Sequence, residues 1–112
     1  MIRVSWDIEE LVALEWVCLR SKEMTSAELS DELKHLSAAL NRRADAIGIE
    51  HDKKFRNYNG MKLCYQNMTY ILTDGKKGLP NANRNMYDVY DLWKNDHSQY
   101  MAILEGFIEK YW

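Results

Sequence analysis

At 112 residues, with 46% apolar and 29% charged residues, the chain suits one folded domain and excludes a disordered segment or a pair of full-sized domains. No apolar run reaches the roughly 18–20 residues of a membrane span, and the opening MIRVSWDIEE turns acidic without a leader-like apolar stretch, so a cytoplasmic protein is expected. The net charge of −2 argues against a nucleic-acid partner, yet residues 51–86 carry seven Lys/Arg against two Asp/Glu while both flanking segments are acidic, so a local anion-facing patch is conceivable beside an ordinary mixed surface.

Five helical patterns follow one another, with no period-2 strand. The first spans about 6–20. Ser5 is its expected N-cap, Asp7, Glu9 and Glu10 complement the positive end of the helix dipole, and apolar residues cover more than one face, as in a central helix. The second spans about 26–47, opened by a Thr25–Glu28 capping box. Leu29, Leu33, Leu36, Leu40, Ala44 and Ile47 form its inner stripe, and Gly48 is its stop. Residues 49–58 are polar and basic, hence a loop.

The third helix spans about 60–73, with Asn59 as expected cap and Met61, Cys64, Tyr65, Met68, Ile71 and Leu72 inward. Asp74-Gly75 ends it, and residues 76–80 form a turn. A short helix over about 84–94 turns Met86, Val89, Tyr90 and Trp93 inward. The last, about 97–110, is capped by Asp96 and buries Tyr100, Ile103, Leu104, Phe107, Ile108 and Tyr111. The expected fold is a single all-α domain over 1–112, a compact five-helix bundle with a trihelical, helix-turn-helix-like core.

Catalytic patterns are scarce. His35, His51 and His97 fall in three different elements without metal-ligand spacing, and there is no paired-Cys motif, phosphate loop or nucleophile elbow. Cys18 and Cys64 sit among apolar neighbours and read as buried thiols, a disulfide or metal pair being the alternative. Glu32-Leu33-Lys34 has the acid-x-Lys form of half a nuclease motif, but it lies mid-helix with Leu33 on the core stripe. No catalytic residues, metal or cofactor are expected.

The third helix is more informative. Lys62, Gln66, Thr69 and Thr73 share its outer face at i, i+4, i+7 and i+11. Lys and Gln can hydrogen-bond base edges and phosphates. Lys53 and Lys54 precede the helix, and Lys76 and Lys77 follow it, as phosphate clamps would flank a recognition helix. A solvated face with ordinary charges is the competing reading. Tyr58 and Tyr70 are candidates for stacking on bases, whereas Tyr65 fits the inner stripe.

Trp6-x-x-Glu9-Glu10-Leu11, Glu28-Leu29-Ser30-x-x-Leu33 and Phe55-Arg56-Asn57-Tyr58-Asn59-Gly60-Met61-Lys62-Leu63 resemble the N-terminal accessory module of HNH-type restriction endonucleases, including McrA-like, modification-dependent enzymes. Gly78-Leu79 and Met86-Tyr87-Asp88-Val89-Tyr90-Asp91 resemble that module's closing turn and short helix. Pro80 stands where the family often has Ser. The opening also resembles a Myb/SANT-type trihelical start.

The resemblance implies a DNA-targeting role, with double-stranded, in some cases modified, DNA and a restriction nuclease subunit or domain as partners. It implies no cleavage, since no HNH motif follows. The expected DNA-contact set is Lys53, Lys54, Arg56, Lys62, Gln66, Thr69, Lys76 and Lys77. Arg56, with Phe55, Asn57 and Gly60, has a structural alternative: it can pin loop carbonyls or an acidic residue of the first two helices. The other functional reading is a protein–protein adaptor or inhibitor that uses an aromatic and acidic surface including Trp93, Tyr111 and Trp112.

Overall fold

A computed structural model describes residues 4–112; residues 1–3 of the acidic opening segment lie outside the described part. Five helices follow in order: α1 (Ile8–Arg20), α2 (Ser26–Ala46), α3 (Tyr58–Leu72), α4 (Arg84–Asn95) and α5 (His97–Tyr111). A single 3₁₀ turn, Ser21–Glu23, joins α1 to α2, and the described residues contain no strand.

The sequence dictates most of the helix ends. Thr25 accepts from the Glu28 amide while the Glu28 carboxylate accepts from the Thr25 amide, the expected capping box. Asp96 starts α5 by accepting from the Gln99 amide. Gly48 takes φ +79° just beyond α2, and the Ile49 amide reaches back to the Ala44 carbonyl, closing the helix as a left-handed stop does.

Two caps differ from expectation. α1 begins at Ile8 because Asp7, not Ser5, caps it and forms a second capping box with Glu10. α3 begins at Tyr58 because Asn57, not Asn59, accepts from the Gly60 amide at 2.9 Å. In both, the side chain three residues before a free helix amide takes the role.

α1 is the central helix and packs against all four others. Leu11, Val12, Ala13, Leu14 and Val17 are fully buried there, and α2, α3, α4 and α5 supply Leu36, Met61, Met68, Val89 and Phe107 to the same core. Ile47, expected on the α2 stripe, is instead 49% exposed, because the helix ends one residue earlier and the Gly48 turn swings it outward. α1, α2 and α3 pack on one another as a trihelical set. The connection from α2 to α3 spans residues 47–57, longer than the roughly 3–4-residue turn of a helix-turn-helix.

Candidate nucleic-acid interface

Between α2 and α3 the chain is clamped from both sides. Ser37 Oγ donates to the Arg56 carbonyl, and Asn41 Nδ2 donates to the Phe55 carbonyl at 3.0 Å. Phe55 is buried, its ring centroid 4.8 Å from that of His51. Arg56 follows with φ 47°, a left-handed conformation that costs a non-glycine residue about 1–2 kcal/mol.

The Arg56 side chain accounts for that strain. Its Nε donates to Glu10 Oε2 at 2.8 Å and one terminal nitrogen to Glu10 Oε1 at 3.0 Å, while the Val4 and Ser5 carbonyls each accept at 3.2 Å. The guanidinium also lies 4.4 Å from the centroids of both Trp6 and Phe55. Only 8% of the side chain is exposed. Arg56 therefore leaves the expected DNA-contact set. Its donors are spent joining the loop to the start of α1, where Glu10 also serves the α1 cap.

α3 projects Asn59, Lys62, Leu63 and Gln66 into solvent over its first half. Beyond Gln66 the outer face is covered. The chain leaving the helix folds back, the Leu79 amide donates to the Gln66 carbonyl at 3.1 Å, and the Asn67 side-chain amide, once turned so that its nitrogen rather than its oxygen faces them, donates to the Leu79 and Pro80 carbonyls at 3.1 and 3.0 Å. Gly78 lies so close to α3 that a Cβ would stand 2.3 Å from the Gln66 carbonyl oxygen and 2.7 Å from the Tyr70 nitrogen.

Thr69 is half-buried beneath this crossing. The Thr73 hydroxyl donates to the Thr69 carbonyl and accepts from the Lys77 amide at 3.0 Å. Thr69 is therefore also withdrawn from the expected contact set, because the returning turn packs beside it and what remains open faces the cleft shared with α1 and α4. The i+7 and i+11 positions share a face with Lys62 but not its access to solvent.

Lys53, Lys54, Lys62, Gln66, Lys76 and Lys77 are exposed, as the sequence suggests. Lys53 and Lys54 precede the N-terminus of α3, whereas Lys76 and Lys77 stand on the segment that folds back beside its C-terminal half, the Lys77 amide donating to Thr73 Oγ at 3.0 Å. Lys62 Nζ lies 5.5 Å from the Tyr58 ring centroid, and Lys34 of α2 lies 5.3 Å from it. The Tyr58 hydroxyl is 3.0 Å from Ser30 Oγ. Tyr58 is thus a half-buried aromatic plate between two cations at the α2–α3 edge. Tyr65 turns inward and donates to Ser21 Oγ at 3.2 Å.

The other sequence candidates are engaged elsewhere. Glu32 pairs with Arg20 at 2.7 Å, and Leu33 beside it is in the core. His35 stacks on Trp112 with centroids 3.8 Å apart, His51 Nε2 meets Asp45 at 2.7 Å, and His97 Nδ1 lies 3.2 Å from the Trp93 carbonyl. Cys18 and Cys64 are free thiols, and burial pushes both up, Cys64 to about 11. Among the described residues no three His, Cys, Asp or Glu side chains gather as metal ligands.

Two buried charged groups carry no clear sequence signal. Arg43 ties α2 to the start of α1 through Glu9 and, at 2.8 Å, Asp7. Glu15 stands in the middle of α1, fully buried, with no hydrogen-bond partner for either oxygen among the described residues; burial pushes its carboxyl up to about 8. Comparison with protein-family models, curated proteins and solved structures finds no match to the chain.

Proposed function

We propose that this chain is a non-catalytic DNA-binding module of a restriction or phage-defence system, with the first half of α3 facing the duplex. The observation that carries the reading is the exposed Lys62–Gln66 edge of α3, with exposed lysine pairs on the connections that precede and follow the helix. Recognition helices commonly read base edges with their N-terminal residues, so covering the second half of α3 leaves the useful part free. Lys62 and Gln66 would reach bases, and Lys53, Lys54, Lys76 and Lys77 would take phosphates. The resemblance to the accessory module of HNH-type restriction enzymes points the same way.

A second reading, a protein-binding adaptor or inhibitor, is favoured by one feature. Leu63 and Leu79, 55% and 48% exposed, are large apolar side chains on α3 and on the turn that crosses it. In a DNA complex Leu63 would meet a thymine methyl; in a protein complex the pair would meet an apolar partner surface.

The deciding experiment titrates the parent chain, Lys62→Ala and Gln66→Ala against unmodified and cytosine-methylated duplexes. Each substitution is expected to cost about 1–3 kcal/mol of binding and leave the melting temperature in place. Parent-like affinity in both variants would remove α3 from the interface. A complex with a protein partner that is indifferent to salt would favour the adaptor.

A further inference from the structure

A second concavity lies along the C-terminal half of α3, between it, the end of α1 with the 3₁₀ turn, and α4. Its volume is about 590 Å³, within the roughly 300–1,000 Å³ of small-molecule sites. The lining is apolar along Leu72, Tyr90 and Trp93, the two rings lying 6.2 Å apart at 37°. The polar floor is already ordered: Tyr65 donates to Ser21 Oγ, which donates to the Cys18 carbonyl at 2.7 Å.

Its charge is one-sided. Lys22 and Lys77 are the only ionised side chains among its lining residues; no carboxylate joins them, although the chain carries 17 Asp and Glu. Neither lysine has an ion-pair partner within 4.0 Å among the described residues. Lys77 stands on a fixed base, its amide held by Thr73 and the next residue, Gly78, seated against the α3 backbone. Two unpaired cations at an aromatic-walled cleft suit a ligand that brings both a planar ring and negative charge.

We propose that this cleft binds a small planar aromatic anion of the chemical class of a nucleoside monophosphate, with the ring against Tyr90 and Trp93 and the phosphate between Lys22 and Lys77. The volume suits one such unit rather than a polymer, and a phosphate monoester brings a charge near −2 to the two lysines. The cleft shares Lys77 with the proposed DNA-facing lysines but neither Lys62 nor Gln66, and titration without DNA tests it whether or not that edge binds a duplex.

The test is calorimetric titration of the full chain with the 5′-monophosphates of adenosine, guanosine, cytidine and uridine, with adenosine and inorganic phosphate as partial ligands. At least one monophosphate is expected to bind saturably, with Kd between micromolar and about 1 mM, and more tightly than either partial ligand. Lys22→Ala/Lys77→Ala should weaken it about tenfold or more without changing adenosine binding. Trp93→Leu should weaken the nucleotide and adenosine alike. The double lysine variant changes only exposed side chains, so its melting temperature serves as the folding control. The proposal is overturned if no monophosphate saturates, if the lysine variant binds like the parent, or if inorganic phosphate binds as tightly as the nucleotide.

Discussion

At the scale of single residues, two buried charges have opposite consequences. Arg56 is a fully engaged ion: Glu10 and two carbonyls receive its donors, and two aromatic rings cover its faces. Removing it leaves the Glu10 carboxylate buried with its charge partner gone. Arg56→Ala should therefore cost about 3–5 kcal/mol, read as a large fall in the thermal midpoint, while Lys62→Ala stays at the parental value. A parental midpoint for Arg56→Ala would contradict the structural role. Glu15 is an ion that burial prevents. Its carboxyl rises from 4.5 to about 8, so between those pH values the folded chain holds a proton that the unfolded chain has released. The associated stability is present in full below pH 4.5 and is lost as pH rises toward 8, by up to about 1.4 kcal/mol per pH unit. Glu15→Gln cannot ionise and should gain on the parent as pH rises, with nearly equal stability at pH 4.5 and the larger midpoint at pH 8. Parallel pH–stability curves for the two proteins would refute this.

At the scale of elements, the crossing of the 76–80 segment over α3 sets what the helix can offer. Gly78 makes the crossing possible in two ways: φ +84° is a region other residues avoid, and the approach to the Gln66 carbonyl and the Tyr70 nitrogen leaves no space for a Cβ. Both obstacles are backbone, which cannot rotate away as a side chain can. Gly78→Ala should thus release the turn rather than adjust around it. We expect a loss of more than about 1 kcal/mol in denaturant unfolding, with faster amide exchange at Leu79, whose hydrogen bond closes the crossing. Unchanged exchange at Leu79 would mean that the turn survives the substitution. By contrast, the clamp before α3 uses side chains from α2 and α1, so it orients the first turn of α3 independently of the crossing.

At the scale of the whole molecule, the charge of −2 conceals an uneven surface, and that unevenness is what the DNA reading uses. Lys53 and Lys54 stand on the connection before α3 and Lys76 and Lys77 on the segment that returns beside its C-terminal half, so the two pairs belong to different connections. Removing one phosphate-neutralising lysine should reduce the slope of log affinity against log salt by about one unit, equally for all sequences. Lys53→Ala and Lys76→Ala should each show that change, and their combination should show the sum. A variant whose affinity falls for one duplex sequence but not another would place that lysine at a base instead.

The sequence alone determined the features that depend on near neighbours along the chain. Five helices, the Thr25–Glu28 box, the Asp96 cap and the Gly48 stop arise from residues within about four positions of one another, the range of a helical turn. Apolar spacing likewise identified the inner faces. The Asp7 and Asn57 caps were missed because neighbouring Ser5 and Asn59 offer the same chemistry, and only backbone geometry selects between them. Tertiary structure decided the availability of each side chain. Lys62 and Thr69 share a helical face, yet one is open and the other covered, because the 76–80 segment returns over the helix. Glu15 is buried since four helices surround α1, and Arg56 is withdrawn because Glu10, 46 positions away, is brought beside it. Helical periodicity fixes which residues face the same way; only the path of the rest of the chain fixes what stands in front of them.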